Sequence, residues 1–315
     1  MFADFIDVST RLRYHGGMTQ GRIDATKRAE SPSSEEIRAI VRRALDEDMG
    51  DGDVTTNSTV GADARLRGEI MAKQAGVVAG LEVVRLVLAS LDEDQQFLQH
   101  VADGERVAPG QVIATVEGLG RALLSGERTA LNLLQRMSGI ATLTREFVDA
   151  VRGTRAVILD TRKTAPGLRV LDKWAVRLGG GQNHRFGLYD MALIKDNHIA
   201  AVGGSLAKAV RRVRAGDARQ RPIEVEVTNQ DELGQALGLV PPVDRILLDN
   251  MSPHEMRAAV RTVNGRVPLE ASGNVSLENV ALVAATGVNY ISIGALTHSV
   301  RALDVSLELT QVDGK

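Results

Sequence analysis

Residues 222–227 read PIEVEV, residues 245–250 read RILLDN and residues 267–273 read VPLEASG, and these three short apolar runs decide the fold class. The runs begin about 22 residues apart, and segments with apolar residues at helical spacing lie between them, near 229–238 and 253–263. Strands that alternate with helices in this way are the βα units of a parallel sheet or barrel. The sequence therefore predicts an α/β fold for this half of the chain.

The same alternation extends outward from these runs. Further apolar runs lie at residues 157–159, 192–194 and 290–293, and further helical spacing lies near 203–215 and 276–286. Each apolar run is followed by polar residues or glycine. Ligands of α/β folds bind beyond the carboxyl ends of the parallel strands. We therefore expect one functional face, built from the residues that follow the strands.

The N-terminal half has a different pattern. Ser33 and Glu36 have the spacing of a capping box, and the apolar residues after them predict a helix over 34–47. Residues 66–118 are predicted to form strands with one helix between them. Residues 103–116 alternate with period two around turn glycines, which predicts a small β-rich domain. A long helix is predicted over 125–152. The polar, aperiodic residues before the capping box are predicted to form a flexible arm.

Composition excludes several classes of function. The 315-residue chain contains no cysteine, which removes disulfides, cysteine-bound zinc, iron–sulfur clusters and a thiol nucleophile. The net charge is −2 and aromatic residues make up 3%, so neither a basic field nor stacking platforms favour nucleic acid as a partner. The most apolar long stretch, residues 77–91, is interrupted by Glu82 and Arg85, so no membrane span is predicted. We expect a cytoplasmic protein.

Cations follow several of the predicted strands. Arg162 and Lys163 follow the first run of the C-terminal half, Lys195 follows the second, and His184 and Arg185 lie between them. Positive side chains gathered at one end of a barrel repel one another. Such a cluster usually serves to bind a ligand with several negative charges, such as carboxylates or phosphates. Ion pairing with nearby aspartates explains part of the set. The alternative interpretation is that each of these cations is an ordinary solvent-exposed charge.

Other strand ends carry acids and glycines. Glu226 and Asp249 end two successive strands. Such carboxylates can bind a sugar, or a Mg²⁺ ion that also binds a diphosphate. The alternative is that they form an internal salt bridge. Ser272 and Gly273 are predicted to lie at the start of a helix, and Gly294 follows a strand. Their main-chain N–H groups could bind phosphate; the alternative is that these glycines only form turns. The glycines at 179–181 suggest a mobile loop that delivers a cation.

Several longer motifs make the chain similar to the quinolinate phosphoribosyltransferase family. The resemblance covers about residues 34–311, and the motifs that carry it are DTRKTAPGLR (160–169), GGGQNHR (179–185), LIKDNH (193–198), GERTALN (126–132), LDN (248–250), EASG (270–273), GALTHS (294–299) and residues 46–56. The resemblance implies an N-terminal α/β sandwich domain formed by residues 33–140. The C-terminal segment 300–315 would return to this domain and become part of it. An incomplete, open α/β barrel of TIM-like type would follow over residues 141–299, and residues 1–32 would be the arm.

The resemblance also implies an activity and roles for matching residues. The expected reaction joins quinolinate to phosphoribosyl pyrophosphate with loss of CO₂ and gives nicotinate mononucleotide and pyrophosphate, a step of de novo NAD biosynthesis. The implied ligands of quinolinate are Arg162, His184, Arg185, Lys195 and, from the neighbouring subunit of a homodimer, Arg128. The implied ligands of phosphoribosyl pyrophosphate and its Mg²⁺ are Lys163, Glu226 and Asp249, and those of the 5′-phosphate are Ser272, Gly273 and Gly294. Lys163, Lys195, Glu226 and Asp249 are the implied catalytic residues.

Three other interpretations stay open from the sequence. A related phosphoribosyltransferase, of the type associated with molybdate transport, would act on another ring acid. A barrel aldolase would use Lys195 to form a Schiff base. A non-catalytic protein could keep the fold and bind anions only.

Overall fold

The computed structural model describes residues 31–312, so the predicted arm lies almost entirely outside the described residues. The helices have the following bounds: α1 Ser34–Met49, α2 Val54–Thr59, α3 Leu81–Ala89, α4 Gly120–Ala150, α5 Arg169–Leu178, α6 Asp196–Ala201, α7 Leu206–Gly216, α8 Gln230–Leu237, α9 Pro253–Val263, α10 Val280–Ala284 and α11 Ala295–His298. The strands have the following bounds: β1 Arg65–Ala72, β2 Gly76–Val77, β3 Gln96–Gln99, β4 Arg106–Val107, β5 Val112–Leu119, β6 Val157–Leu159, β7 Ala192–Ile194, β8 Ile223–Val227, β9 Arg245–Asp249, β10 Leu269–Ser272, β11 Tyr290–Ser292 and β12 Val305–Gln311.

The N-terminal part is built on a four-stranded antiparallel sheet in the order β12-β1-β5-β3. The last strand among the described residues, β12, therefore pairs with the first, β1. Gly68 of β1 makes this pairing possible, because a Cβ there would lie 2.7 Å from Leu307 and 2.9 Å from Leu309. Helix α1 begins at the predicted capping box, in which the main-chain N–H of Glu36 donates to Ser33 Oγ, and its buried apolar face contacts α3.

Helix α4 connects the two parts of the molecule. It packs against α3 on one side and against α5 on the other, and it begins at Gly120 rather than at residue 125. Gly139 lets the C-terminal segment cross it closely, because a Cβ there would lie 2.2 Å from the main-chain oxygen of Arg301. The helix continues without a break through residues 140 and 141, so the domain boundary stays a prediction inside a continuous helix.

The C-terminal part is a six-stranded parallel sheet in the order β6-β11-β10-β9-β8-β7. In the described part of the chain its two end strands, β6 and β7, do not pair with each other, and an isolated parallel bridge joins Leu159 to Gln182 instead. The prediction of an open, incomplete α/β barrel is therefore confirmed. The strand ends are level, since Ser272 lies opposite both Asp249 and Ser292.

Within residues 31–312, no helix is both long and apolar enough to cross a membrane.

Candidate active site

A cavity of about 740 Å³ opens at the carboxyl ends of the parallel strands. A cavity of this size holds a ligand as large as a nucleotide. Five of the six parallel strands, and the segment that follows the sixth, β6, contribute to its lining, as expected for a barrel with one functional face. The predicted site residues that line it are Arg162, Lys163, His184, Arg185, Lys195, Glu226, Asp249, Ser272, Gly273 and Gly294.

A buried carboxylate at the end of β6 brings the segment 182–185 to this cavity. Asp160 Oδ1 accepts hydrogen bonds from Lys173 Nζ at 2.5 Å and from the main-chain N–H of His184 at 2.9 Å. Asp160 Oδ2 accepts from Asn183 Nδ2 at 2.6 Å. Burial raises the pKa of Asp160 and lowers that of Lys173, so each charge depends on the other. This cluster fixes His184 and Arg185 beside the strand that leads to Arg162.

None of the three nearby aspartates forms a salt bridge with a cation at the mouth. Asp160 pairs with Lys173, the Asp190 carboxylate accepts the main-chain N–H groups of residues 186 and 187, and Asp196 accepts the N–H of residue 197. Asp190 does attract Arg185 electrostatically, so ion pairing accounts for only a small part of the set of cations.

Two arginines face the same part of the cavity. Arg162 Nε is buried and has no hydrogen-bond partner among the described residues. Burial and the nearby charge of Arg162 lower the pKa of Arg185. Two guanidinium groups that disfavour each other in this way are stabilised when an anion binds between them.

Lys195 and Glu226 form an ion pair across the ends of β7 and β8. Lys195 Nζ lies 2.5 Å from Glu226 Oε2, so the internal salt bridge left open by the sequence is present for Glu226. On the next strand, Asp249 Oδ2 accepts a hydrogen bond from Asn250 Nδ2 at 2.8 Å. These two carboxylates lie at neighbouring strand ends, and both line the cavity.

Glycines that follow β10 and β11 leave room beside the main chain. Gly273 has a φ of +91°, and a Cβ there would lie 2.1 Å from Asn250 Oδ1. A Cβ on Gly294 would lie 3.0 Å from the side chains of Lys163 and His298. The prediction that Ser272 and Gly273 open a helix is wrong, because a loop follows β10 and α10 begins only at residue 280.

Two of the three glycines at 179–181, Gly179 and Gly181, are buried and closely packed, whereas Gly180 is exposed. A Cβ on Gly179 would lie 2.6 Å from the main-chain oxygen of Ala141, and one on Gly181 would lie 2.9 Å from Thr144. The glycines therefore let this segment approach α4. The interpretation as a mobile loop is not supported.

His184 lies at the floor of the cavity, and protein groups engage both of its ring nitrogens. Nδ1 accepts the main-chain N–H of Arg185 at 2.7 Å, and Nε2 lies 3.0 Å from Glu224 and 3.3 Å from Glu270. Burial disfavours a charged ring, but the two carboxylates outweigh burial and raise the pKa of His184 to about 9. The N–H contact at Nδ1 opposes a second ring proton, because Nδ1 would then meet another donor.

Sequence reasoning missed the charged residues beneath His184. Glu224 and Glu270 have fully buried side chains, and Arg245 Nη1 lies 2.7 Å from Glu270 Oε2. Burial raises the pKa of Glu224. Burial alone would raise the pKa of Glu270 too, but His184 and Arg245 outweigh it and lower that pKa to about 2.

Arg128 is the predicted site residue that the structure leaves outside this cavity. It lies on α4, and its side chain is exposed. The cavity lining within residues 31–312 does not include it.

The fold and the cavity define an α/β-barrel protein with a site for a multiply anionic ligand at the carboxyl ends of its strands. Comparison with known families narrows this class. Residues 53–138 match the family model "Quinolinate phosphoribosyl transferase, N-terminal domain", and residues 140–308 match "Quinolinate phosphoribosyl transferase, C-terminal domain". The chain belongs to the quinolinate phosphoribosyltransferase family.

Similar proteins cover nearly the same length. A nicotinate-nucleotide pyrophosphorylase [carboxylating] from Mycobacterium leprae is 51% identical over 278 residues, which is 86% of this chain and 96% of that protein. A probable nicotinate-nucleotide pyrophosphorylase [carboxylating] from Bacillus subtilis is 44% identical and covers 87% of this chain and 94% of that protein. The crystal structure of NadC from Streptococcus pyogenes superposes with a TM-score of 0.84 at 39% identity, covering 90% of this chain and all of that one. Family membership contradicts the aldolase alternative.

Proposed function

We propose that this protein transfers the phosphoribosyl group of phosphoribosyl pyrophosphate to quinolinate and releases pyrophosphate and CO₂, giving nicotinate mononucleotide for de novo NAD biosynthesis. One observation carries the proposal: Arg162, Lys163 and Arg185 line one cavity, and none of the three forms a salt bridge among the described residues. A site built this way requires an anionic ligand to balance it. The names of the relatives from M. leprae and B. subtilis support the same reaction.

Quinolinate carries two carboxylates on adjacent ring atoms, and the arginine side of the cavity suits it. Arg162 Nε is a buried donor without a partner among the described residues, and Arg185 lies near enough for the two positive charges to repel each other. Each guanidinium group can bind one carboxylate through paired hydrogen bonds. Lys195 adds a further positive charge at the rim, and His184 forms the floor.

Phosphoribosyl pyrophosphate would occupy the side of the cavity formed by β8 to β11. Lys163 lies beside Gly294, where main-chain N–H groups and an ammonium group together suit the 5′-phosphate. Ser272 and Gly273 line the same region. Glu226 and Asp249 would face the ribose hydroxyls.

The donor set also fits Mg²⁺. Glu226 and Asp249 offer oxygen ligands at neighbouring strand ends, and Mg²⁺ commonly takes one or two carboxylates together with substrate phosphates. When bound there, the ion would neutralise charge on the diphosphate leaving group. Glu226 would then exchange part of its contact with Lys195 for the metal.

The chemistry suits a site without a nucleophile–base pair. The pyridine nitrogen of quinolinate attacks C1 of the ribose with its own lone pair while the bond from C1 to the pyrophosphate oxygen breaks and pyrophosphate leaves, so no general base is needed. Arg162 and Arg185 orient the ring, and Glu226 and Asp249 stabilise the positive charge that develops on the ribose. Once the nitrogen is bonded to ribose and positively charged, it stabilises the electron pair that remains at C2 when CO₂ leaves. A proton from solvent completes the product.

A product assay tests this reaction. Incubation of the protein with quinolinate, phosphoribosyl pyrophosphate and Mg²⁺ is expected to give CO₂ and nicotinate mononucleotide in equal amounts. Lys195→Met should reduce turnover strongly, whereas Lys208→Met, at an exposed lysine on α7, is the matched control. Absence of product at any substrate concentration would reject the proposal. Turnover of nicotinate in place of quinolinate would favour the phosphoribosyltransferase alternative that acts on another ring acid.

We also propose a cytoplasmic homodimer, with assembly into a higher oligomer still compatible. Arg128 is exposed on α4 and lies away from the cavity of its own chain, which supports a role in the neighbouring subunit's site. Mixing inactive Arg128→Ala with inactive Lys195→Ala should restore part of the activity, because one of the two sites in a heterodimer has both residues. Verified heterodimers without activity would reject the shared site.

A further inference from the structure

The interior of the barrel beneath the cavity carries charges. Branched apolar side chains usually fill this layer of an α/β barrel. Here Glu224 on β8 and Glu270 on β10 are both fully buried, and Arg245 lies on β9 between them. Buried charges are costly and are weak evidence for stability, so their presence calls for another reason.

These charges act on one residue of the cavity floor. His184 Nε2 lies within 3.3 Å of both carboxylates. Arg245 lies 2.7 Å from Glu270 and 4.0 Å from Glu224, and its guanidinium group lies 4.2 Å from the ring centre of Tyr290. The histidine ring therefore contacts carboxylates from two strands, β8 and β10, and Arg245 on the strand between them pairs with both.

The main chain transmits this restraint to Arg185. The main-chain N–H of Arg185 donates to His184 Nδ1, so the position of the histidine ring restrains the main chain at Arg185. On the opposite side, Asp160 accepts the His184 N–H and Lys173 Nζ donates to the His184 carbonyl at 3.2 Å. His184 is thus fixed through its main chain and its side chain, and Arg185 follows it into the cavity.

We propose that Glu224 and Glu270 are positioning residues that determine selectivity for a diacid: through His184 they hold Arg185 at the distance from Arg162 that two adjacent carboxylates require. The proposal rests on the proposed function, because it takes quinolinate as the ligand of the two arginines. Neither glutamate needs to touch the substrate. A ligand with one carboxylate can bind one arginine and depends little on the spacing.

Binding calorimetry with quinolinate and nicotinate, on the full chain, tests the proposal. We expect Glu224→Gln and Glu270→Gln to weaken quinolinate binding about tenfold, since a displacement of about 1 Å in a positioning group has effects of this order or larger. Nicotinate binding should change less than about twofold, so the ratio of the two affinities falls. Glu308→Gln, at an exposed residue of β12 that pairs with Lys73, is the control and should change neither.

A role in folding alone would give a different result. If the glutamates only stabilise the barrel, the folded fraction of each variant will bind both acids as the wild type does, and the proposal fails. The double variant Glu270→Gln with Arg245→Met removes both charges of a buried ion pair at once. It replaces the single variant in the same binding experiment if the single variant does not fold. In steady-state assays KM for quinolinate should rise while KM for phosphoribosyl pyrophosphate stays constant. An equal rise in both would also overturn the proposal.

The outcomes separate the two proposals. If the wild type neither binds nor converts quinolinate, the proposed function fails and the positioning role fails with it. If the wild type converts quinolinate and the variants keep the same ratio of diacid to monoacid affinity, only the positioning role fails.

Discussion

Replacing Lys173 by methionine perturbs the buried ion pair that ties β6 to the segment carrying Arg185. Lys173 Nζ lies 2.5 Å from Asp160 Oδ1, and the two side chains are 1% and 0% exposed. Methionine can fill much of the space of lysine, but it leaves the carboxylate buried without its counter-charge. Breaking a buried pair from one side costs about 3–5 kcal/mol. We therefore expect the free energy of unfolding to fall by about this amount.

Urea unfolding followed by circular dichroism measures the change. Asp160→Asn in the Lys173→Met background should recover about 1 kcal/mol of the loss, because no charge is then left buried. The recovery is partial, since an asparagine oxygen that accepts the His184 N–H turns the amide group toward the Asn183 Nδ2 donor. The exposed control Lys208→Met should stay within about 0.5 kcal/mol of the wild type. A loss below about 1 kcal/mol for Lys173→Met, or no recovery in the double variant, would refute the reasoning.

Three further predictions concern stability. Gly139→Ala places a Cβ 2.2 Å from the Arg301 oxygen, so we expect a loss of about 1–3 kcal/mol in urea unfolding, and wild-type stability would contradict the close crossing. His184 has its pKa raised from 6.5 to about 9, so its contribution is complete below pH 6.5 and disappears as the pH rises to 9. Unfolding at several pH values should show a fall of up to about 3 kcal/mol that His184→Gln lacks, and parallel curves for the two proteins would mean that the ring stays neutral. Ser33→Ala removes the N-cap of α1 and should lower thermal stability by about 1 kcal/mol, whereas an unchanged melting temperature would show that the cap contributes nothing.

The parallel sheet could be predicted because its strands are short apolar runs at regular intervals. Such runs are nearly continuous when a strand is buried on both faces, and the helices between them show their own period. The capping box of α1 was equally clear, since it depends on two residues at a fixed spacing.

Elements that depend on tertiary contacts were harder to predict. Helix α2 lies just after a glycine-rich turn and has no apolar periodicity of its own. Asp53 caps it, since Asp53 Oδ1 accepts the Thr56 N–H at 2.9 Å, and Ser125 on α4 donates to the other carboxylate oxygen. The early start of α4 at Gly120 also depends on packing, because a Cβ there would lie 3.1 Å from Leu66.

The mouth of the site was visible in the sequence, but its floor was not. Polar residues that directly follow an apolar run are easy to recognise in a sequence, which is why Arg162 and Lys195 could be found. Glu224 lies inside an apolar run, two residues before Glu226, and period-two alternation places both side chains on one face of β8. That spacing was the available signal, but only the three-dimensional arrangement of the strands shows that this face is the barrel interior.

The depth of each charge decides what it can do in this molecule. At the floor, each acid has a basic group within ion-pair distance: Arg245 lies 2.7 Å from Glu270 and 4.0 Å from Glu224, and His184 Nε2 lies within 3.3 Å of both glutamates. At the mouth, Glu226 pairs with Lys195, whereas Arg162 and Arg185 form no salt bridge among the described residues. A balanced floor costs little further free energy when the ligand binds, since its ions keep their partners. The unbalanced mouth gains most from an anion, and it selects ligands whose two negative groups match the fixed spacing of the two guanidinium groups.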